Sequence, residues 1–123
     1  MTNTPALVYS ILNVDAITTL VSDISPYVRD REESFPAVIY EVPNETFDRS
    51  SSTYTRSLAE AEVTVMARSA QEGETIADAV FGVLAETACV VVDSIQREYD
   101  QSYDRTSAGI YSVRLSTLIS QGA

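Results

Sequence analysis

The sequence of 123 residues contains no histidine, no lysine, no tryptophan and only one cysteine, Cys89. Histidine is the usual general base at neutral pH and the commonest zinc ligand, so both roles lack their usual residue. A single cysteine excludes an internal disulfide and a multi-cysteine metal cluster. These absences argue against structural zinc and against Ser-His or Cys-His nucleophilic catalysis. Because Cys89 borders an apolar run, we expect a small buried side chain there rather than a reactive thiol.

Motifs that carry catalysis or ligand binding are absent as well. No serine lies in a Gly-x-Ser-x-Gly elbow, and the four glycines do not form a phosphate-binding loop. The acidic run from Asp100 to Asp104 has no glycine at the sharp turn and no closing glutamate, so it does not match a calcium loop. We therefore expect a protein that is not an enzyme and that uses no metal or other cofactor.

Basic residues are few, since 8 arginines stand against 18 aspartates and glutamates and the formal net charge is -10. Such a chain repels the phosphates of nucleic acids, which argues against autonomous DNA or RNA binding. The exclusive use of arginine has two explanations that the sequence leaves open. One is the codon usage of a GC-rich genome, and the other is adaptation to high salt.

The remaining composition is typical of a globular protein. The length suits a single domain over residues 1–123, and four glycines and four prolines are too few for a disordered chain. No run approaches the roughly 20 apolar residues that a membrane helix needs, and the first residues do not follow a signal-peptide pattern. We expect synthesis in the cytosol and no membrane association.

Two short amphipathic helices are predicted at the start of the chain. Thr4 is a capping residue, and Pro5 follows it in the first turn. A second helical pattern begins at Asn13 or Asp15 and is ended by Ser25-Pro26. The apolar positions at helical spacing are Leu7, Val8, Ile11 and Leu12, then Ile17, Leu20, Val21 and Ile24.

Four strands and one long helix follow. Strict alternation of apolar and polar residues from Ala59 to Arg68 predicts a half-buried strand. Ser69 and Glu72 form a capping-box pattern before a helix that reaches about Glu86. The other strand patterns cover 35–42, 89–92 and 111–119. We predict an α+β fold, with a mostly antiparallel four-stranded sheet and with the long helix and the N-terminal helical pair packed on one face.

The stretch at about 43–58 is predicted to project from the domain as a long loop or a hairpin arm. Connections of this length are uncommon in compact domains unless they have a function or are disordered. This arm is therefore the first candidate for contacts with other molecules. The candidate contact residues are Phe47, Arg49, Tyr54 and Arg56.

Glu60 and Glu62 lie two residues apart on the alternating strand, so they share the face opposite the core. Paired carboxylates can carry acid-base chemistry or hold a divalent cation. The simpler interpretation is a solvated or subunit-facing surface, and it is the one we adopt.

Six segments together resemble a known family. They are 7–12 (LVYSIL), 15–21 (DAITTLV), 35–41 (FPAVIYE), 63–69 (VTVMARS), Glu72 with 76–80 (IADAV), and 109–115 (GIYSVRL). In this order they resemble the tail terminator or tail completion proteins of long-tailed viruses of bacteria and archaea. The resemblance covers most of the chain.

The resemblance implies a structural protein of the virion tail or neck, made in the host cytoplasm. Such proteins form a ring, commonly of six copies, that caps the tail tube protein and meets the head connector. It implies that Phe47, Arg49, Tyr54 and Arg56 contact a neighbouring copy. It also implies that Glu60 and Glu62 line a lumen through which DNA passes without specific binding.

Two other functions stay open at the level of sequence. One is a head completion or neck adaptor protein of the same virion region. The other is a stand-alone domain that binds a protein or a small ligand, which a monomer with a closed apolar pocket would favour.

Overall fold

The computed structural model describes residues 3–26, 35–50, 53–100 and 109–122, without the side chains of 48–50, 53–55, 100 and 122. This part of the chain forms three helices and five strands. In chain order they are α1 (Thr4–Leu12), α2 (Asp15–Thr18), β1 (Asp23–Pro26), β2 (Ala37–Ser50), β3 (Thr53–Ala67), α3 (Ala70–Glu86), β4 (Val90–Asp100) and β5 (Ile110–Gly122).

The strands form one mixed sheet in the order β1-β2-β3-β5-β4, in which only the β1–β2 pair is parallel. The predicted α+β fold with one long helix is confirmed, but the number of strands is five instead of four. The missed strand is β1, which the sequence analysis assigned to the second helix. That helix ends at Thr18, and Ile24 pairs with Val38. Pro26 is tolerated because β1 is an edge strand.

The arm is the outer part of a long two-stranded hairpin that β2 and β3 form. Their pairing runs from Ala37 opposite Met66 to Ser50 opposite Thr53. The register shifts between Glu41 and Asn44, so that Pro43 lies in an irregular stretch of the ladder. Proline has no N–H to donate to a neighbouring strand, and a bulge is one of the few places where a sheet accepts it.

All three helices contribute to a core on one face of the sheet. The apolar residues of the alternating strand are buried, as predicted. The helices contribute Val8 and Leu12, then Ile17, and finally Ile76, Val80 and Leu84. The strands contribute Val38 and Tyr40, then Ala59, Ala61, Val63 and Val65, and finally Val90, Val113, Leu115 and Ile119.

The helix starts follow capping chemistry, with one correction. The side chain of Ser69 accepts a hydrogen bond of 3.2 Å from the Glu72 N–H, which caps α3. For α1 the cap is Asn3, whose side-chain oxygen accepts from the Ala6 N–H at 3.2 Å. Thr4, the predicted cap, is instead the first helical residue, because Asn3 is an equally good capping residue one position earlier.

Cys89 is exposed, so the prediction of a buried cysteine is wrong. It lies in the turn between α3 and β4 with a φ of 67°, in the left-handed region. Its carbonyl accepts a hydrogen bond of 2.9 Å from the Ser120 N–H. The apolar run that suggested burial begins one residue later, where Val90 is buried.

Candidate interaction surface

A groove lies at the base of the arm. It has a volume of about 370 Å³. Phe47 and Leu58 are 49% and 44% exposed beside it. Its lining residues are Thr46, Phe47, Arg56, Ser57, Leu58 and Ser120. We call this the arm groove. The strand register places the side chains of Phe47 and Ser57 on the helix face of the hairpin and those of Leu58 and Arg56 on the opposite face.

One hydroxyl of the arm groove is buried. Ser57 is 1% exposed, and within the described part of the chain its Oγ has no hydrogen-bond partner. A buried hydroxyl that has no partner costs about 1–3 kcal/mol of free energy.

A chain of hydrogen bonds holds the arm base against the rest of the domain. Gln121 Nε2 donates to Thr4 Oγ1 at 2.9 Å, and Thr4 Oγ1 donates to Glu45 Oε2 at 2.9 Å. Thr4 is buried, which shields this chain from water. The start of α1, the arm and the last strand are thereby joined at one point.

The four predicted contact residues lie on this arm. Phe47 and Arg56 both line the arm groove. Arg49 and Tyr54 are register partners near the tip of the hairpin, and their side chains lie outside the described part. The structure therefore brings two of the four into one groove. Their contact with another copy stays a prediction.

Glu60 and Glu62 lie on the face of the sheet opposite the helices, as the alternation predicted. Glu60 is exposed and lies between Asn44 and Leu118. Glu62 is half-buried and lies between Glu41 and Ser116. We call this the open face.

The pairing of Glu41 with Glu62 was not predicted. Partial burial raises the pKa of Glu41, and the Glu62 carboxyl raises it further by hydrogen bonding and by charge repulsion, while Arg114 lowers it. The pair arises from the register of β2 against β3. The sequence pattern around Glu41 or Glu62 does not predict this register.

A polar cluster on the helix face ties α3 to β4 and β5. Glu74 accepts hydrogen bonds from Arg97 Nε at 2.7 Å, from a second Arg97 nitrogen at 3.2 Å and from the Tyr111 hydroxyl at 2.6 Å. Arg97, and then Tyr111, lower the pKa of Glu74 by these hydrogen bonds. The neighbouring Gly73 lets the Tyr111 ring approach, since a Cβ there would lie 2.6 Å from Cδ2 of the ring.

The strand β4 lies at an edge of the sheet and pairs, among the described strands, only with β5. Val91, Ile95 and Tyr99 are 61%, 37% and 52% exposed. The register shifts between Val92 and Ser94, so Asp93 has no ladder partner. The sequence analysis predicted a strand only over 89–92 and missed the rest of β4, which reaches Asp100.

Two kinds of site are absent from the described residues. No three histidine, cysteine, aspartate or glutamate side chains lie where they could hold a metal ion together. None of the helices described above is both long enough and apolar enough to cross a membrane.

Comparisons with known proteins find a structure of similar fold but no protein of similar sequence. No family model matches the chain, and no curated protein matches it significantly. Among solved structures, the fold is similar to a chain of the virion of a native gene transfer agent particle. The TM-score is 0.55 and the identity 14%, over 94% of this chain and 92% of that chain. At this identity the likeness establishes a shared α+β fold over nearly the whole length of both chains.

Proposed function

We propose that this protein is a structural component of a virion or virion-like particle and assembles there with copies of itself and with other particle proteins. The observation that carries the proposal is the fold likeness to a chain of a gene transfer agent virion. Its extent, 94% of one chain and 92% of the other, leaves little of either chain outside the shared domain.

Within that class, we propose a tail terminator or tail completion protein. In this role a ring, commonly of six copies, caps the tail tube and joins it to the head connector. The six segments that resemble this family support the assignment. A ring also suits the sheet, because a closed ring needs two different complementary surfaces on each copy. The arm and the β4 edge are two such surfaces at different places on the sheet.

The open face is the proposed wall of the lumen. Glu41, Glu60 and Glu62 lie on it together with Arg114, and the whole chain carries a net charge of -10. A wall of this charge repels the phosphates of passing DNA and prevents it from sticking. Specific DNA binding is not part of the proposal, and no enzymatic step or cofactor is needed for it.

The proposal is tested by the mass of the purified protein, alone and with its tail tube protein, at low and at molar salt. We expect a closed oligomer in at least one of these conditions, and a ring at the end of the tube in electron micrographs. A protein that remains a single copy in solution and in every particle that contains it would refute the proposal.

A head completion or neck adaptor protein is the second candidate, because the fold likeness is to a virion particle and does not specify a position within it. The two candidates differ in location. Electron microscopy of labelled particles distinguishes them, since a tail terminator contacts the tube and an adaptor contacts the portal side of the neck.

A further inference from the structure

Two edges of the sheet have no described strand beside them. One is the outer side of β4, where the residues from Ser94 to Tyr99 are all exposed and the strand pairs only with β5. The other is the outer side of β2 in the arm. β1 pairs with β2 only up to Tyr40, and Glu45 lies five residues further, about 15 Å away. Strand edges of this kind can accept a strand from another chain.

Alternation along the ladders determines which backbone groups point outward. The Ser120 N–H donates to the Cys89 carbonyl at 2.9 Å, so even-numbered residues of β5 direct their backbone groups toward β4 and odd-numbered ones toward β3. The register extends this alternation across the sheet. The odd-numbered residues of 94–99 therefore direct their backbone groups outward from β4, and the odd-numbered residues of 44–48 do so from β2. These are the groups that an added strand would bond.

The two edges have the orientation that neighbouring copies in a ring require. β2 and β4 run in opposite directions, because the antiparallel pairs β2–β3, β3–β5 and β5–β4 connect them. Two copies placed side by side in the same orientation therefore bring β4 of one antiparallel to β2 of the next. Within a chain β3 and β5 separate the two strands, so this pairing joins two copies.

One register of this pairing matches the side chains. It sets Arg97 opposite Glu45, and opposite charges attract across a strand pair. A shift by two residues in either direction separates these two charges. The other described pairs are Ile95 with Phe47 on the helix face, and Gln96 with Thr46 and Glu98 with Asn44 on the open face.

Arg97 and Glu45 each have a partner in their own chain and capacity for a second. Glu74 accepts hydrogen bonds from two nitrogens of Arg97, whose guanidinium has five N–H groups, and the Thr4 hydroxyl donates to one oxygen of Glu45. A second β4 fits the β4 edge less well. Full antiparallel overlap of Ser94 to Asp100 in two copies places Arg97 opposite Arg97, and like charges destabilise a strand pair. The charges therefore favour the arm of a second copy.

We propose that neighbouring copies join their sheets, with Ser94–Glu98 of β4 in one copy hydrogen-bonded antiparallel to Asn44–Asp48 of β2 in the next. This inference rests on the proposed assembly and specifies its interface. The open faces of successive copies then continue into one another, because the odd-numbered residues of both strands lie on the helix face. The contact runs head to tail, which is the type that closes into rings.

Cross-linking tests the pairing. In a Cys89→Ser background, protein with Thr46→Cys is mixed with protein carrying Gln96→Cys and then oxidised. In the proposed register the two Cα atoms lie about 4.5 Å apart, within the range of a disulfide. Within one chain Thr46 is level with Ser120 of β5 and Gln96 with Arg114, which separates them by about 24 Å. We expect a covalent dimer from the mixture, and far less of it from either variant alone.

The matched control for the register is Thr46→Cys mixed with Glu98→Cys. Residues displaced by two positions across a strand pair lie about 7–8 Å apart, too far for an unstrained disulfide. This mixture should give much less covalent dimer than the first. An equal or larger yield from it would contradict the proposed register.

Proline at the β4 edge distinguishes strand pairing from a contact made by side chains alone. The Ile95 N–H points outward, so Ile95→Pro keeps the ladder to β5 and removes a donor to the added strand. It should raise the concentration needed for assembly about tenfold or more, whereas Ile95→Ala, which keeps the N–H, should stay much closer to the wild type. Analytical ultracentrifugation measures assembly, and circular dichroism verifies folding. Equal effects of the two substitutions would contradict pairing through the backbone.

The outcomes separate the inference from the proposed function. If the wild type assembles, but Ile95→Pro assembles equally well and the first mixture gives no covalent dimer, the inference is wrong while the proposed assembly stands. If the wild type remains a single copy alone and with its tube protein, both are wrong.

Discussion

The two faces of the sheet are built from alternate residues of the same strands, yet they differ in chemistry. The face under the helices is apolar, with all the odd-numbered residues of 59–67 buried. The open face carries Glu60, Glu62 and Arg114. Burial of apolar surface drives folding, so the helix face accounts for the stability of the domain. The composition of the open face is not needed for that, which leaves it available for contacts with other molecules.

The largest expected effect comes from substituting adjacent residues on the two faces. Leu115 is fully buried and Ser116 is half-buried on the open face. Leu115→Ala should lower the free energy of unfolding by about 2–5 kcal/mol, because it removes buried methyl groups and leaves a cavity. Ser116→Ala should change it by less than about 0.5 kcal/mol. Urea denaturation measures both. Similar losses would mean that the open face is also part of a core.

The different chemistry of the two faces was predictable from the sequence, because it follows from the alternation of apolar and polar residues along each strand. The alternation along β3 and β5 assigned Val63, Val65, Val113 and Leu115 to the buried side, and the structure has them there. The serine cap of α3 depends only on neighbouring residues, Ser69 and Glu72, and it was also predicted.

Features that depend on partners distant in sequence were missed or misassigned. Ile17 and Ile24 fit one helical spacing, but Ile24 belongs to a strand because it pairs with Val38. The Glu41–Glu62 pair and the exposed β4 edge likewise follow from sheet order and register. Phe47 and Arg56 both line the arm groove because both lie on one hairpin, although the register places their side chains on opposite faces of it.

The second prediction concerns two glycines of α3. A Cβ at Gly73 would lie 2.6 Å from the Tyr111 ring, whereas a Cβ at Gly82 would have nothing within 4 Å. Gly73→Ala should therefore destabilise the protein by about 1–3 kcal/mol, since the ring must move away from Glu74. Gly82→Ala should stabilise it by up to about 1 kcal/mol through helix propensity. Thermal unfolding measures both, and a shift of the same sign would contradict the close packing at Gly73.

A third, smaller effect is expected at Cys89, whose φ of 67° is unfavourable for any residue with a Cβ. Cys89→Gly should be more stable than Cys89→Ala by about 1 kcal/mol, because only glycine adopts this conformation without strain. The alanine variant is the control for loss of the thiol. Equal stabilities in urea would show that the turn relaxes around the side chain.

The smallest effects are expected from two carboxylates on opposite faces, because partly exposed charges are screened by solvent. The pKa of Glu74 is lowered, mainly by its hydrogen bonds to Arg97, so it adds stability above the ordinary glutamate value of 4.5 and loses it as the pH falls. The pKa of Glu41 is raised, by partial burial and by Glu62, so its contribution is favourable at low pH and is lost as the pH rises past 4.5.

The two substitutions should therefore have opposite signs at neutral pH. Glu74→Gln should lower the Tm at pH 7, and Glu41→Gln should raise it, since it removes the repulsion from Glu62. Both differences should shrink as the pH falls, first for Glu41, whose raised pKa lets it take up a proton earlier, and only at lower pH for Glu74, whose pKa is lowered. Glu60→Gln, whose neighbours are Asn44 and Leu118, is the control and should change little at either pH. If Glu41→Gln is less stable than the wild type at pH 7, the attraction between Glu41 and Arg114 outweighs the repulsion between Glu41 and Glu62.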